Sequence, residues 1–157
     1  GILDFFKVLI GARGYNVIFA QDPVSVGLPA MLAAKILRKR FILKIVGDYA
    51  WEQGVQRFGV GKLLDEFSMT SNYPLPVCFL KWIQFFVQKN ADKIIVPSKY
   101  FKKIVCSWGK VNEKKIYVIY SSFEKSVVEL SARDELKKKL GLRGRVMTSA
   151  GRLVPWK

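Results

Sequence analysis

Apolar positions along the chain switch between two rhythms, a helical one and a continuous strand-like one, and the alternation predicts the architecture before any motif is considered. Ile2, Phe5, Phe6, Leu9 and Ile10 recur at helical spacing, with Gly14 as the stop. A short β-rich run follows, Tyr15 to Ala20, and then Gln21-Asp22-Pro23. Asp before Pro predicts a turn into a helix, with Asp22 capping and Pro23 at the first helical position. That helix extends to about Arg40, and its small residues, Gly27, Ala30, Ala33 and Ala34, suit close packing on a sheet. Phe41 to Val46 is almost wholly apolar, as buried parallel strands are, and ends at Gly47-Asp48. Tyr49 to Pro76 mixes glycine and polar residues without a clear period and reads as a long loop carrying a short helix.

The second half repeats the alternation. Leu75 to Asn90 is helical in pattern, and Lys93-Ile94-Ile95-Val96 is a strand stopped by Pro97. Ser98 opens the next helix, Phe101, Ile104, Val105 and Trp108 follow at helical spacing, and Gly109 closes it. Ile116 to Ile119 is a fourth strand, and Ser121 to Leu130 has no period and reads as a linker. Ser131 and Asp134 stand in capping-box spacing before a helix that places Leu136 and Leu140 on one face and ends at Gly141. Residues 145–150 form an expected fifth strand leading into Gly151-Arg152-Leu153-Val154-Pro155-Trp156-Lys157. Strands alternating with helices at this pitch predict an α/β fold, a Rossmann-like parallel sheet with helices on both faces.

Composition narrows the chemistry. The 157 residues contain no histidine, and Cys78 and Cys106 are far apart, so a zinc site of Cys and His, a Cys-His nucleophile and a Ser-His-Asp triad are excluded within the segment. Two unpaired thiols suit a reducing, cytoplasmic setting. The net charge is +15, and the excess lies mainly in the second half: residues 1–92 carry 11 basic and 7 acidic groups, residues 93–145 carry 14 and 5. Such a balance attracts phosphates, nucleic acid or an anionic membrane surface. Lys137, Lys138 and Lys139 read as a solvated helix face. Gly11-Ala12-Arg13-Gly14 has neither the spacing nor the setting of a phosphate-cradling glycine loop.

In open parallel sheets ligands bind beyond the carboxyl ends of the strands. The groups at those ends are Gln21 and Asp22, Gly47 and Asp48, Ser98, Ser121 and Ser122, then Gly151 and Arg152. For Asp22 and Ser98 a helix cap is the simpler role. Arg152 and Lys157 differ, because a planar guanidinium fork and a mobile ammonium five positions on can together neutralise a diphosphate, with Gly151 allowing close backbone approach. Trp51 and Glu52, just after the second strand, are placed to touch a substrate or to close the edge of a cleft.

The order of these pieces resembles glycosyltransferase family 4. The resemblance rests on Tyr15 to Asp48, Ala91 to Ser98, Lys115 to Glu124 and Gly151 to Lys157, and is strongest in the ADKIIVPS and GRLVPWK segments. It implies the GT-B fold and a retaining, nucleotide-sugar-dependent activity. Residues 1–125 would then be most of the N-terminal acceptor-binding domain, and residues 126–157 a linker, a helix and the first strand of the donor-binding domain.

The resemblance further implies that Arg152, Lys157 and Gly151 bind the donor diphosphate without an obligatory metal or other cofactor. Gly47, Asp48, Trp51 and Glu52 are the acceptor-side candidates. The family's first strand and glycine loop would precede Gly1, and its E-x7-E carboxylates would follow Lys157. The segment is therefore expected to be a fragment, truncated at both ends and inactive alone. Val46 stands where many members carry a histidine. The expected partners are a nucleotide-sugar donor, a glycan, lipid-linked or small-molecule acceptor, and an anionic membrane at whose inner face the protein would be peripheral. The alternative is a basic nucleic-acid-binding α/β module using residues 93–145; no base-reading motif supports it, and nucleic acid is not an expected partner.

Overall fold

The computed structural model describes residues 2–109, 111–122, 132–147 and 151. Four strands, β1 (Val17–Gln21), β2 (Arg40–Lys44), β3 (Lys93–Val96) and β4 (Ile116–Val118), form one parallel sheet in the order β1-β2-β3-β4. The register pairs Ile18 with Phe41, Leu43 with Ile94 and Ile94 with Ile116. Each parallel step requires a crossover, and helices supply it: α2 (Gly27–Ile36) joins β1 to β2, while α6 (Lys99–Ser107) joins β3 to β4. Between β2 and β3 run α3 (Tyr49–Arg57), α4 (Leu64–Met69) and α5 (Leu75–Asn90), and α1 (Ile2–Gly11) precedes the sheet. The protein thus has an α/β fold, a four-stranded parallel sheet flanked by helices.

Side-chain alternation along the strands makes burial lopsided. Ile18, Ala20, Phe41, Leu43, Ile94, Val96 and Ile116 are buried on one face, in a core with Ala30, Met31, Ala33 and Ala34 of α2, Ile83 and Val87 of α5 and Phe101 and Val105 of α6. Their neighbours in sequence, Val17, Phe19 and Tyr117, face the other way and are exposed, with Ile42, Lys44 and Ile95 half-buried. The alanines of α2 are what let that helix lie against β1 and β2.

The boundaries differ from expectation in several places. The second helix, expected to reach about Arg40, ends at Ile36, and Arg40 opens β2. The first helix ends at Gly11 and continues as a short 3-10 turn, Ala12–Gly14. Asp22 does not cap a helix beginning at Pro23: α2 starts at Gly27, and Asp22 instead closes a turn on its own side chain. The stretch 49–76 is not a long loop, because α3 and α4 occupy most of it. Residues 145–147 join no strand, and the rest of the expected fifth strand lies outside the described residues. In contrast, Ser98 caps α6 through a 3.0 Å bond from the Phe101 amide, as its spacing predicts.

The chain divides into two compact units, the first ending at Tyr120 and the second beginning at Ser121. Within the second, α7 (Ala132–Lys139) is closed by Gly141 at φ +65°. The Gly141 amide donates to the Lys138 carbonyl and the Leu142 amide to that of Lys137, at 3.1 and 3.0 Å, the paired bonds of a Schellman stop. Ser131, its expected cap, lies outside the described residues. No helix among those described is long and apolar enough to cross a membrane.

Candidate functional site

The carboxyl ends of β1 and β2 frame a small recess. At the end of β1 the chain reverses at Asp22, whose φ of +94° is rare for a residue with a side chain. Its own carboxylate holds the reversal. Oδ1 accepts from the Val24 amide at 2.6 Å, and Oδ2 accepts from the Ser25 hydroxyl. The Asp22 amide donates to the Lys44 carbonyl at 3.0 Å, which ties this turn to the end of β2. Gly27 is required directly behind it, since a Cβ there would lie 2.5 Å from the Asp22 carbonyl oxygen.

Beyond β2, Ile45 stays in the sheet by donating to the Ile95 carbonyl at 2.8 Å, and Val46-Gly47 lead to α3. Asp22, Pro23, Val46, Gly47, Tyr49 and Glu52 line a recess of about 100 Å³. Glu52 leans over Gly47 so closely that a Cβ on the glycine would come within 2.6 Å of its Oε1. The lining is mainly apolar, with Val46 and Pro23 as walls, and the Glu52 carboxylate beside Gly47 gives it an acceptor for a hydroxyl or ammonium donor.

Asp48 holds the recess from behind. Its carboxylate is 2% exposed and meets three donors: the Trp51 amide at 3.0 Å and Gln84 Nε2 at 3.1 Å on Oδ1, and Trp108 Nε1 at 2.9 Å on Oδ2. Gln84 Oε1 in turn accepts from the Ala50 amide at 2.6 Å, which fixes its amide orientation. The first turn of α3, carrying Tyr49 and Glu52, is thereby pinned to α5 and to the end of α6. Burial pushes the Asp48 carboxyl above its ordinary range, while the three donors and the charge of Lys81 pull it back.

Lys81 is itself pushed down by burial, with Asp48 and Cys78 opposing the shift. Its ammonium donates to the Phe67 and Thr70 carbonyls at 3.2 and 2.8 Å and lies 4.6 Å from the centroid of the Phe67 ring. These bonds fasten the end of α4 to α5. Trp51 serves the same packing, since its indole donates to the Lys62 carbonyl at 2.9 Å and it packs against the small core cluster of Ala50, Val60, Phe67 and Val77.

Of the acceptor-side candidates, the structure therefore brings Gly47 and Glu52 to the recess and turns Asp48 and Trp51 inward. Gly151 is exposed, and Arg152 and Lys157 lie outside the described residues. Sequence reasoning missed Tyr49, Gln84 and Trp108. The available signal was the Asp48-to-Trp51 spacing of an N-cap, which marks Tyr49 as the first helical residue. No three Cys, Asp or Glu side chains converge as metal ligands would among the described residues.

No protein-family model matches the chain, and no curated protein matches it. Among solved structures, its backbone is similar to that of the Anabaena protein HepE (Alr3699), determined in complex with UDP. The TM-score is 0.64 at 16% identity, over 87% of this chain and 32% of HepE, so the chain spans about a third of that protein's length.

Proposed function

We propose that the protein to which this chain belongs is a glycosyltransferase that takes a sugar from a nucleoside-diphosphate donor, with UDP-sugars the first class to test. The observation that carries this reading is the backbone likeness to a protein solved with UDP. It is supported by the ordered resemblance of the ADKIIVPS and GRLVPWK segments to glycosyltransferase family 4. The recess adds a chemical argument. A small recess lined by Glu52 and Tyr49 suits an acceptor hydroxyl, with Gly47 leaving room for it.

The donor diphosphate is assigned to Arg152 and Lys157, with Gly151 allowing close approach. As the glycosidic bond to the diphosphate breaks, these cations offset the charge that develops on the leaving oxygen. Retention at the anomeric carbon is part of the proposal and is read by NMR of the product. Isothermal titration of the protein from the full reading frame with UDP, ADP and GDP tests the donor side. UDP is expected to bind, and Arg152→Ala or Lys157→Ala to weaken it by about tenfold or more, as loss of a hydrogen bond to a charged group does. Absence of nucleotide binding, or binding indifferent to both substitutions, would defeat the reading.

A further inference from the structure

A second opening shares a wall with the recess at the strand ends, and Tyr49 lines both. Beyond Tyr49 the same face of α3 continues through Gln53 and Arg57, at i+4 and i+8. The first half of α5 supplies the facing wall with Phe79 and Leu80, and Phe58, the residue after α3, completes the lining. The result is a groove of about 230 Å³ where α3 packs against α5. At the rise of an α-helix, Arg57 stands about 12 Å along the axis from Tyr49. The bonds of Asp48 to Trp51, Gln84 and Trp108 pin the first turn of α3, so recess and groove are held in place together.

The two ends of this path differ in chemistry. At the recess, the Glu52 carboxylate beside Gly47 is an acceptor. At the other end stands Arg57, the one cation among the described residues that line either opening. It is exposed and has no ion-pair partner among the described residues. A guanidinium presents a planar fork that matches the oxygens of a carboxylate or a phosphate. Between the ends, half-buried Gln53 offers an amide donor and acceptor, and the Phe79 ring is 58% exposed. Stacking on Trp82, at 6.0 Å and 15°, fixes the plane of that ring. Aromatic walls with a few placed polar groups are the composition of a small-molecule site.

Position and charge together select the occupant. The groove adjoins, through Tyr49, the carboxyl ends of the strands, where open parallel sheets receive their ligands. As a cation in the last turn of α3, Arg57 also complements the helix dipole, but that role calls for no aromatic wall beside it. A nucleic-acid strand would engage a row of cations along its phosphates, and this groove has one.

We propose that the groove is an extended acceptor subsite for an acidic glycan. The reacting hydroxyl lies in the recess, a neighbouring sugar ring lies against Tyr49 and Phe79, and the carboxylate or phosphate of that sugar is held by Arg57. The path from Tyr49 to Arg57 is longer than one sugar ring, so the anionic group belongs to a sugar other than the one that reacts. This inference rests on the reading of the recess as an acceptor site and names the class of acceptor.

Isothermal titration of the protein from the full reading frame, without nucleotide, tests it with cellobiose, cellobiouronic acid and cellobiose phosphorylated on its non-reducing ring. The three probes differ only in the group offered to Arg57, and the tighter of the two acids identifies the anion as carboxylate or phosphate. At least one acid is expected to bind about tenfold more tightly than cellobiose, and Arg57→Gln to erase that preference. Lys103→Gln, which removes an exposed cation on α6, should leave the preference intact and so separates a local contact from the general positive charge. Phe79→Ala should weaken all three sugars alike, by about fivefold. These side chains are exposed, and unchanged circular dichroism verifies folding. Equal affinity for neutral and acidic sugars, a preference that survives Arg57→Gln, a preference lost equally with Lys103→Gln, or no binding by any of the three would each overturn the proposal. No donor enters this titration, so a failure of UDP to bind bears on the transferase reading alone.

Discussion

Asp48 shows how one side chain can serve a site without facing it. All three of its partners are donors, so only an acceptor-only group satisfies them together. Asp48→Asn presents an amide N–H to at least one donor and leaves it unsatisfied in the interior. At neutral pH the cost is expected to be about 2 kcal/mol, read from urea unfolding. The pH dependence has a defined sign. Because burial raises the folded carboxyl above its unfolded value, the folded state retains the proton longer. Asp48 therefore favours folding most below the ordinary carboxylate range, and that contribution is lost as pH rises through its raised value. Asp48→Asn removes this slope, so the stability difference between wild type and variant should shrink as pH rises through that window. A difference that grows with pH would show that the three donors outweigh burial. The orientation of Tyr49 and Glu52 depends on the same bonds, so if the recess holds an acceptor as proposed, the variant should also weaken that binding.

Elements with local punctuation were legible in the sequence, and those whose order depends on distant partners were not. Ser98 to Gly109 was readable because cap, apolar spacing and glycine stop all lie within one stretch. The α3–α4 region reads as a loop in the sequence because its order comes from Gln84, Lys81 and Trp108, all beyond it in the chain. Gly47 and Glu52 could be placed at a strand end from pattern alone, whereas the inward turn of Asp48 needed those same distant donors. The start of α2 was misplaced for a related reason: Asp-Pro signals a cap, but Asp22 spends its carboxylate on Val24 and Ser25, and the helix waits until Gly27. Two glycines at these junctions should respond differently to alanine. At Gly27 the new methyl meets the Asp22 backbone and Val87, neither of which can swing aside, so a loss of about 1–3 kcal/mol is expected. At Gly47 it meets only the end of the Glu52 side chain. There the thermal midpoint should barely move, while under the proposed function displacement of Glu52 should lower affinity for the acceptor.

At the scale of the whole sheet, helical connections between sequential strands cover one face and leave the other half-open, so residues adjacent in sequence differ in what they contribute. Leu43 is fully buried between β1 and β3, whereas Phe19, one strand over and on the opposite face, is 50% exposed. Removing the Leu43 side chain deletes apolar contact and leaves a cavity bounded by Ala20, Ile94 and their neighbours. Leu43→Ala should therefore cost about 2–5 kcal/mol. Phe19 is the larger side chain, but only about half of its surface leaves water on folding and its loss opens no enclosed void, so Phe19→Ala should cost about 1 kcal/mol. Urea unfolding of the two variants of this chain under one condition gives the comparison directly. Equal losses would mean that the face bearing Phe19, Ile42 and Ile95 is covered in solution, and the lopsided burial that organises the sheet would have to be abandoned.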